Sequence, residues 1–153
     1  MSQAVRFTLD PTVDGLELVR RWMAAGDGVG GFLQRLGSHP VEAREGFVRV
    51  VCDIDPGHAN FIGLVHGGVT AALIDMAGGA ATMSILKPGQ TLVTTDLTMR
   101  FLNAAPSDTA RLEATGTVTY RDERKAVVAA EVVTGTGVVV AQGTVAVAIR
   151  AAR

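Results

Sequence analysis

Apolar and polar residues alternate along several short segments of the chain, which is the period of a β-strand with one buried face. In the first of these segments, Val48, Val50 and Cys52 alternate with Arg49 and Asp53. The segments with this pattern are residues 47–55, 92–101, 111–119, 125–134 and 138–149. Charged or glycine-rich turns separate the last three of them at short intervals, which is typical of an antiparallel meander.

The chain between the first two strand segments has a different pattern. Residues 67–86 are small and apolar, and the first proline after them is Pro88. We expect a helix roughly 30 Å long at 1.5 Å per residue, and apolar residues on nearly every side predict its burial. One or two strands, a long helix and four more strands predict an α+β fold, in which an antiparallel sheet wraps around a central helix.

The first 31 residues are predicted to be separate from this unit. The near-helical spacing of Leu16, Val19 and Met23 predicts a helix over residues 11–25. Glycines between residues 26 and 31 then interrupt the periodicity, which indicates a flexible linker. We therefore divide the chain into an N-terminal helix with its linker, residues 1–31, and a single domain, residues 32–153.

Composition and charge exclude several classes of function. The chain has 153 residues, of which 48% are hydrophobic and 19% charged, and its formal net charge is −1. This balance favours a buried core and leaves no excess of positive charge for binding nucleic acid. Cys52 is the single cysteine, so no internal disulfide is expected, and no Cys and His residues have zinc-ligand spacing.

Two segments of the sequence disfavour export and a membrane location. The first ten residues lack the apolar run of a secretory signal, and residues 69–86 carry Asp75 where a membrane span would be apolar. We expect a cytoplasmic protein that does not bind membranes and needs neither a metal nor another cofactor.

The residues most informative about function lie where the predicted helix begins. Gly67 and Gly68 open the helix, where backbone N–H groups lack a partner within the helix and lie at the positive end of its dipole. Such a group can polarise a carbonyl, and glycine also lets a bulky substrate approach the main chain.

Asp75 is the only charged residue of the predicted helix, and its helical neighbours Gly78 and Gly79 are small. A carboxylate on a buried helix is costly unless it is hydrogen-bonded, paired or hydrated. From the residues alone two explanations stay open. Asp75 accepts structural bonds from a loop or pairs with an arginine such as Arg100 at a subunit contact, or it serves as a general base or nucleophile.

This constellation resembles the PaaI-like thioesterases of the hotdog-fold superfamily, which are related to the 4-hydroxybenzoyl-CoA thioesterases. The residues with the family's spacing are Asn60, Gly63, His66, Gly67, Gly68 and Asp75. Residues 94–102 are also similar to the family's third strand. The resemblance covers residues 32–149 and assigns no function to the first thirty residues.

The resemblance implies that the protein hydrolyses an acyl-CoA thioester to a free acid and coenzyme A. The Gly67 N–H would bind the thioester carbonyl oxygen, and Asp75 would activate water or attack the carbonyl directly. Asn60 would position the reacting groups, Thr94 would assist the water, and His66 would hold the loop and its hydrogen bonds.

Helix geometry adds a requirement for a second subunit. Gly68 and Asp75 are seven residues apart, roughly 10 Å along a helix, whereas the donor and the attacking group must both lie about 3 Å from the reacting atoms. We therefore expect each site to combine Gly67 and Asn60 of one subunit with Asp75 and Thr94 of another. A two-fold dimer would carry two such sites, and the resemblance implies a homodimer or a dimer of dimers, a homotetramer.

Contacts to the substrate are less well specified by the sequence. Arg124 and Lys125 cluster at a predicted hairpin and could meet the phosphates of coenzyme A, and Arg100 is an alternative. Gly68 would allow close approach of the substrate to the main chain. Aryl, phenylacetyl and medium-chain acyl groups are all consistent with the resemblance, as is a thioester of acyl carrier protein.

Two other functions stay open. A hotdog dehydratase or hydratase would use a histidine and a carboxylate as its acid–base pair, but the His-Gly-Gly spacing is typical of thioesterases. A non-catalytic module that binds acyl-CoA would keep the same fold. Asp75 favours catalysis, because a binding protein gains nothing from an unpaired carboxylate beside an anionic ligand.

Overall fold

A six-stranded antiparallel sheet wraps around one long helix in the computed structural model, which describes residues 8–153. The sheet order is β1-β2-β4-β5-β6-β3. The strands are β1 Ser38–Arg44, β2 Phe47–Asp53, β3 Gln90–Phe101, β4 Arg111–Arg121, β5 Lys125–Thr134 and β6 Val139–Ala151. The α-helices are α1 Gly15–Ala25, α2 Gly31–Leu36 and α3 Gly67–Met83, and 3-10 helices span Gly26–Val29 and Pro56–His58.

Helix α3 fills the concave side of the sheet. Leu73, Ile74 and Ala77 are completely buried there, and close contact with the strands depends on glycine. A Cβ atom at Gly78 would lie 2.6 Å from the Cβ of Val145 in β6, and one at Gly116 in β4 would overlap the Ala77 carbonyl. The predicted α+β fold is therefore confirmed, with the sheet approaching the helix backbone where side chains are absent.

The strands and α3 were predictable in outline, but β1 was missed. Its sequence lacks alternation, and it contains Pro40 next to an irregularity in its pairing with β2 between Pro40 and Glu42. Proline is tolerated here because β1 is an edge strand and needs bonds on one side only. The predicted strand over residues 47–55 ends at Asp53 in the structure.

The glycine-rich stretch, predicted to be a flexible linker, forms helical turns. Gly26, Gly30, Gly31 and Gly37 have positive φ angles and stand at the ends of the two short helices, so the glycines end and start turns. Helix α1 buries Trp22 in the same core as α3. The division of the chain at residue 31 stays a prediction.

Helix α2 is held by a carbonyl that accepts two bonds. The Leu36 oxygen accepts from the Cys52 Sγ at 3.1 Å and from the His58 Nε2 at 3.0 Å. The His58 Nδ1 accepts the Asp55 N–H, which leaves the proton on Nε2 for donation.

Cys52 is buried in the core, as predicted. Burial is the main reason that the pKa of its thiol rises to about 12, and the charges of Asp53 and Asp55 add to the effect. A thiol with this pKa is not a nucleophile near neutral pH.

Within residues 8–153 the helices are too short or too polar to cross a bilayer.

Candidate active site

A tight loop leads from β2 into α3, and Asn60 shapes it. The Asn60 Oδ1 accepts the N–H groups of Ile62 at 3.0 Å and Leu64 at 3.1 Å, and the Asn60 N–H donates to the Leu64 oxygen at 2.8 Å. Gly63, with a φ of 79°, provides the left-handed residue of the turn. The side chain predicted to position substrate therefore also fixes the loop.

His66 caps the N-terminus of α3. Its Nδ1 accepts the Gly68 N–H at 2.8 Å, and the backbone N–H of His66 donates to the backbone oxygen of His58 at 2.8 Å. A Cβ atom at Gly68 would lie 3.0 Å from that Nδ1, so glycine leaves room for the ring. The Gly68 N–H is therefore occupied within the chain, and its predicted role in substrate binding rests on the space beside it.

The neighbouring Gly67 N–H is the free donor at this helix end. It has no hydrogen-bond partner in the described part of the chain, and it begins the helix, where the dipole is positive. Gly67 lines a cleft of about 320 Å³ together with Phe101 and Thr70. A Cβ atom at Gly67 would lie 3.2 Å from the Phe101 ring, so a side chain at residue 67 would crowd Phe101, which lines the same cleft.

Asp75 lies two turns further along α3 and contacts Thr94. The Thr94 Oγ1 donates to the Asp75 Oδ1 at 2.8 Å, which fixes the carboxylate and leaves Oδ2 available. Thr94 comes immediately before an irregularity in the β3–β6 pairing between Thr94 and Asp96, a device that redirects side chains along a strand.

The surroundings of Asp75 in the single chain differ from those expected for a buried helix. Its side chain is exposed in the single chain, so the predicted cost of a buried carboxylate does not arise. Arg100 does not pair with it within the described part of the chain, and the pairing at a subunit contact stays a prediction. Arg100 alternates along β3 with half-buried Met99, which packs on the core, and is exposed on the outer side of the sheet.

Asp75 also lines a pocket of about 250 Å³ that the sequence did not reveal. Trp22 and Leu33 from the N-terminal helices form one wall, and Gly79 from α3 and Leu92 from β3 form another. No motif marks Trp22 or Leu33. The one available signal was the four-residue spacing from Asp75 to Gly79, which places both on the same side of the helix.

The structure does not bring Gly67 and Asp75 of one chain together. They line separate clefts and are eight residues apart on α3, about 12 Å along its axis. This separation exceeds the few ångströms across a single thioester group.

Two residues predicted to contact the phosphates of coenzyme A line neither the Gly67 cleft nor the Asp75 pocket. Arg124 and Lys125 form the β4–β5 hairpin, where their N–H groups donate to the Asp122 Oδ1 at 2.8 and 3.0 Å. The Lys125 Nζ lies 5.7 Å from the centroid of the Tyr120 ring. Lys125 alternates with the buried Ala126, so it lies on the face of the sheet away from α3. The roles of these cations stay predictions.

Solved structures with the same architecture define the fold class. The Escherichia coli PaaI protein from the phenylacetic acid degradation operon has a TM-score of 0.76 at 23% identity, over 88% of this chain and 94% of that one. A thioesterase of Haemophilus influenzae has a TM-score of 0.77 at 19% identity, over 94% and 96%. A hypothetical thioesterase protein of Streptococcus pneumoniae, solved with coenzyme A, has a TM-score of 0.68 at 22% identity, over 76% and 88%. The chain has the hotdog fold.

The sequence itself gives the family. The profile of the thioesterase superfamily matches residues 62–141, which is more than half of the chain and includes His66, Gly67, Asp75 and Thr94. The protein belongs to this superfamily, as the spacing of its motif predicted. No curated protein matches it by sequence.

Proposed function

We propose that this protein hydrolyses acyl-CoA thioesters to a free acid and coenzyme A. The observation that carries the proposal is the Gly67 N–H, which has no partner among residues 8–153 and points from the start of a helix in a thioesterase-superfamily chain. A donor of this kind stabilises the negative charge that develops on the carbonyl oxygen during attack. The coenzyme A in the related Streptococcus pneumoniae structure supports the choice of thioester.

Asp75 supplies the attack in this proposal. As a general base, its Oδ2 takes a proton from water while the water oxygen bonds to the carbonyl carbon. As a nucleophile, its carboxylate attacks that carbon and forms an anhydride, which water then hydrolyses. In either case the carbon–sulfur bond breaks and coenzyme A leaves as the thiolate. The Thr94 hydroxyl, 2.8 Å from Oδ1, orients the carboxylate.

Each site is assembled from two subunits in this proposal. Strand β3 is an edge strand, and large apolar side chains are exposed along it and just beyond it, with Val93 at 48%, Phe101 at 59% and Leu102 at 49%. Long apolar edges of this kind pair with another chain. A two-fold axis beside β3 sets two α3 helices antiparallel, so that Gly67 of one subunit approaches Asp75 of its partner.

The first test measures thiol release from a panel of acyl-CoA thioesters. Asp75→Asn keeps the shape of the side chain but removes the base, and we expect kcat/KM to fall by about a hundredfold or more. Asp96→Asn is the matched control, because Asp96 is an exposed carboxylate of β3. It lies two residues after Thr94, on the far side of the irregularity in the β3–β6 pairing. Equal activity of the two variants would contradict the role of Asp75. Binding of acyl-CoA without any hydrolysis by the wild type would favour the binding module.

The second test removes the proposed carbonyl donor. Gly67 is the first residue of α3, a position that favours proline because its N–H has no helical partner. His66 before it is extended, with φ −62° and ψ 135°, as proline requires. Gly67→Pro removes the N–H, whereas Gly67→Ala keeps it and adds the same Cβ contact with Phe101. We expect the proline variant to lose about a hundredfold more in kcat than the alanine variant.

Co-expression of the two inactive variants then tests the shared site. A mixed dimer of Asp75→Asn and Gly67→Pro subunits contains one site with both native groups. Random pairing should therefore restore about a quarter of wild-type activity. If each site lay within one chain, the mixture would stay inactive.

A further inference from the structure

The pocket beside Asp75 is apolar apart from the catalytic groups themselves. Thr94 and Asp75 stand at one side of it, and the remaining lining side chains are hydrocarbon, indole or thioether groups, among them Trp22, Leu33 and Leu92. A second charged group would find no partner there and would be costly to desolvate. The pocket therefore suits an uncharged hydrocarbon group.

The size of the pocket fits part of a substrate. Its volume of about 250 Å³ lies just below the roughly 300–1,000 Å³ of sites that enclose whole drug-sized ligands. An aliphatic chain or a phenyl group is of this scale, whereas coenzyme A must lie outside.

The pocket follows the helix away from Asp75. Gly79 lies one turn further along α3 and Met83 one turn beyond that, on the same side, at about 6 and 12 Å of axial rise. Both residues line the pocket. An acyl group whose carbonyl carbon lies beside Asp75 therefore extends past Gly79 before it reaches Met83.

The two adjacent glycines of α3 have different surroundings. A Cβ atom at Gly78 would lie within 2.7 Å of three atoms of Val145, whereas one at Gly79 would meet only the Leu92 Cδ1, at 3.9 Å. Gly79 is therefore not required for packing of the helix on the sheet. Its lack of a side chain leaves open the middle of the pocket.

We propose that this pocket receives the hydrocarbon part of the acyl group, and that Gly79 sets the length of acyl chain that it accepts. The proposal rests on the proposed function and specifies its substrate class as uncharged aliphatic or aryl acyl groups. The N-terminal helices supply Trp22, Val29 and Leu33 to the wall, and these residues lie outside the interval that matches the superfamily. Substrate choice thus depends on a part of the chain that the family motif does not include.

The test by activity compares straight-chain substrates on the wild type, Gly79→Ala and Gly79→Leu. Leucine is a good helix former, and its side chain would occupy the pocket. We expect kcat/KM for octanoyl-CoA to fall about tenfold or more in Gly79→Leu, because one methylene in an apolar pocket is worth about 10- to 200-fold. The kcat/KM for acetyl-CoA should change by less than about threefold, because the short acetyl group ends before it reaches Gly79. Gly79→Ala should give values between those of the wild type and the leucine variant.

A binding test needs no turnover. Trp22 is the only tryptophan of the chain, so its fluorescence reports on this pocket. Octanoyl-CoA added to Asp75→Asn should shift the emission in a saturable manner, and coenzyme A alone should not. In the double variant Asp75→Asn with Gly79→Leu, the apparent Kd for octanoyl-CoA should rise about tenfold. Phenylacetyl-CoA and succinyl-CoA complete the series, and the charged succinyl group should give no shift.

The two readouts separate the two proposals. If the wild type hydrolyses octanoyl-CoA but Gly79→Leu slows both substrates equally and Trp22 fluorescence does not change, the acyl group binds elsewhere and this inference is wrong. If octanoyl-CoA shifts the fluorescence but no thioester is hydrolysed, the pocket assignment stands and the proposed function fails.

Discussion

Gly78 and Gly79 are neighbours on α3, yet one faces the sheet and the other faces a pocket. On the sheet side, glycine lets Val145 pack against the helix at a distance that no Cβ atom would permit. On the other side, glycine leaves a space beside Asp75 that residues of the helix itself do not fill. The same residue type therefore supports packing at one position and an opening at the next. A helix inside a curved sheet can use one face for stability and the other for a ligand.

Adding the same methyl group at both positions tests whether the two faces of α3 differ in packing. Gly78→Ala should lower the free energy of unfolding by about 1–2 kcal/mol, because overpacking against the rigid Val145 costs more than the helix propensity of alanine returns. Gly79→Ala should instead raise it by about 0.5–1 kcal/mol through that propensity. Denaturant unfolding at a fixed protein concentration measures both, since any association of subunits makes stability depend on concentration.

A rescue experiment identifies the cause at Gly78. Val145→Ala removes the two methyl groups at 2.7 Å that a new Cβ would meet but keeps the Val145 Cβ at 2.6 Å, so it should remove part of the cost of Gly78→Ala in a double-mutant cycle. Equal effects of Gly78→Ala and Gly79→Ala on stability would show that the two faces do not differ.

A smaller effect is expected at the N-terminus of α3. His66→Ala removes the acceptor of the Gly68 N–H, which should destabilise the protein by about 1 kcal/mol. Activity should also fall, because the neighbouring Gly67 N–H loses its fixed position. His66→Asn restores a good capping group and should recover most of both losses. If the asparagine variant is as inactive as the alanine variant, the imidazole itself takes part in the reaction.

The smallest effect should come from a contact away from both faces of α3. The Arg111 Nε donates to the Asp53 Oδ1 at 2.7 Å, and this hydrogen bond lowers the pKa of Asp53. A carboxyl with a lower pKa in the folded state stabilises the protein above its unfolded pKa of about 3.9 and loses that contribution as the pH falls through the folded value.

The pair is mostly exposed, so solvent screening limits its contribution, and Asp53→Asn should cost at most about 1 kcal/mol near pH 7. The free energies of unfolding of the two proteins should begin to converge as the pH falls below about 4, and they should meet below the lowered pKa of Asp53. A constant difference across this range would assign the effect to packing.

The different surroundings of Gly78 and Gly79 could not be predicted from the sequence, although much of the fold could. Periodicity predicted the long helix and five of the six strands that pack on it, and the motif pointed to Asp75 and Thr94, which the structure joins by a hydrogen bond. Periodicity treated Gly78 and Gly79 as one small-residue face, because it gives the angle between side chains but not what each one meets. It missed β1, whose Pro40 and irregular pairing hide the strand pattern.

Periodicity along the chain predicts the α+β fold, and the short-range spacing of the motif residues carries the resemblance to the superfamily. Three features follow from long-range packing: Asp75 is exposed in the single chain, Arg100 and Lys125 lie on the outer side of the sheet, and Trp22 and Leu33 form the wall of a pocket. Residues 22 and 75 are far apart along the chain. Their proximity arises because α1 and α3 bury their apolar faces in one core, and no local pattern records which long-range partners that burial selects.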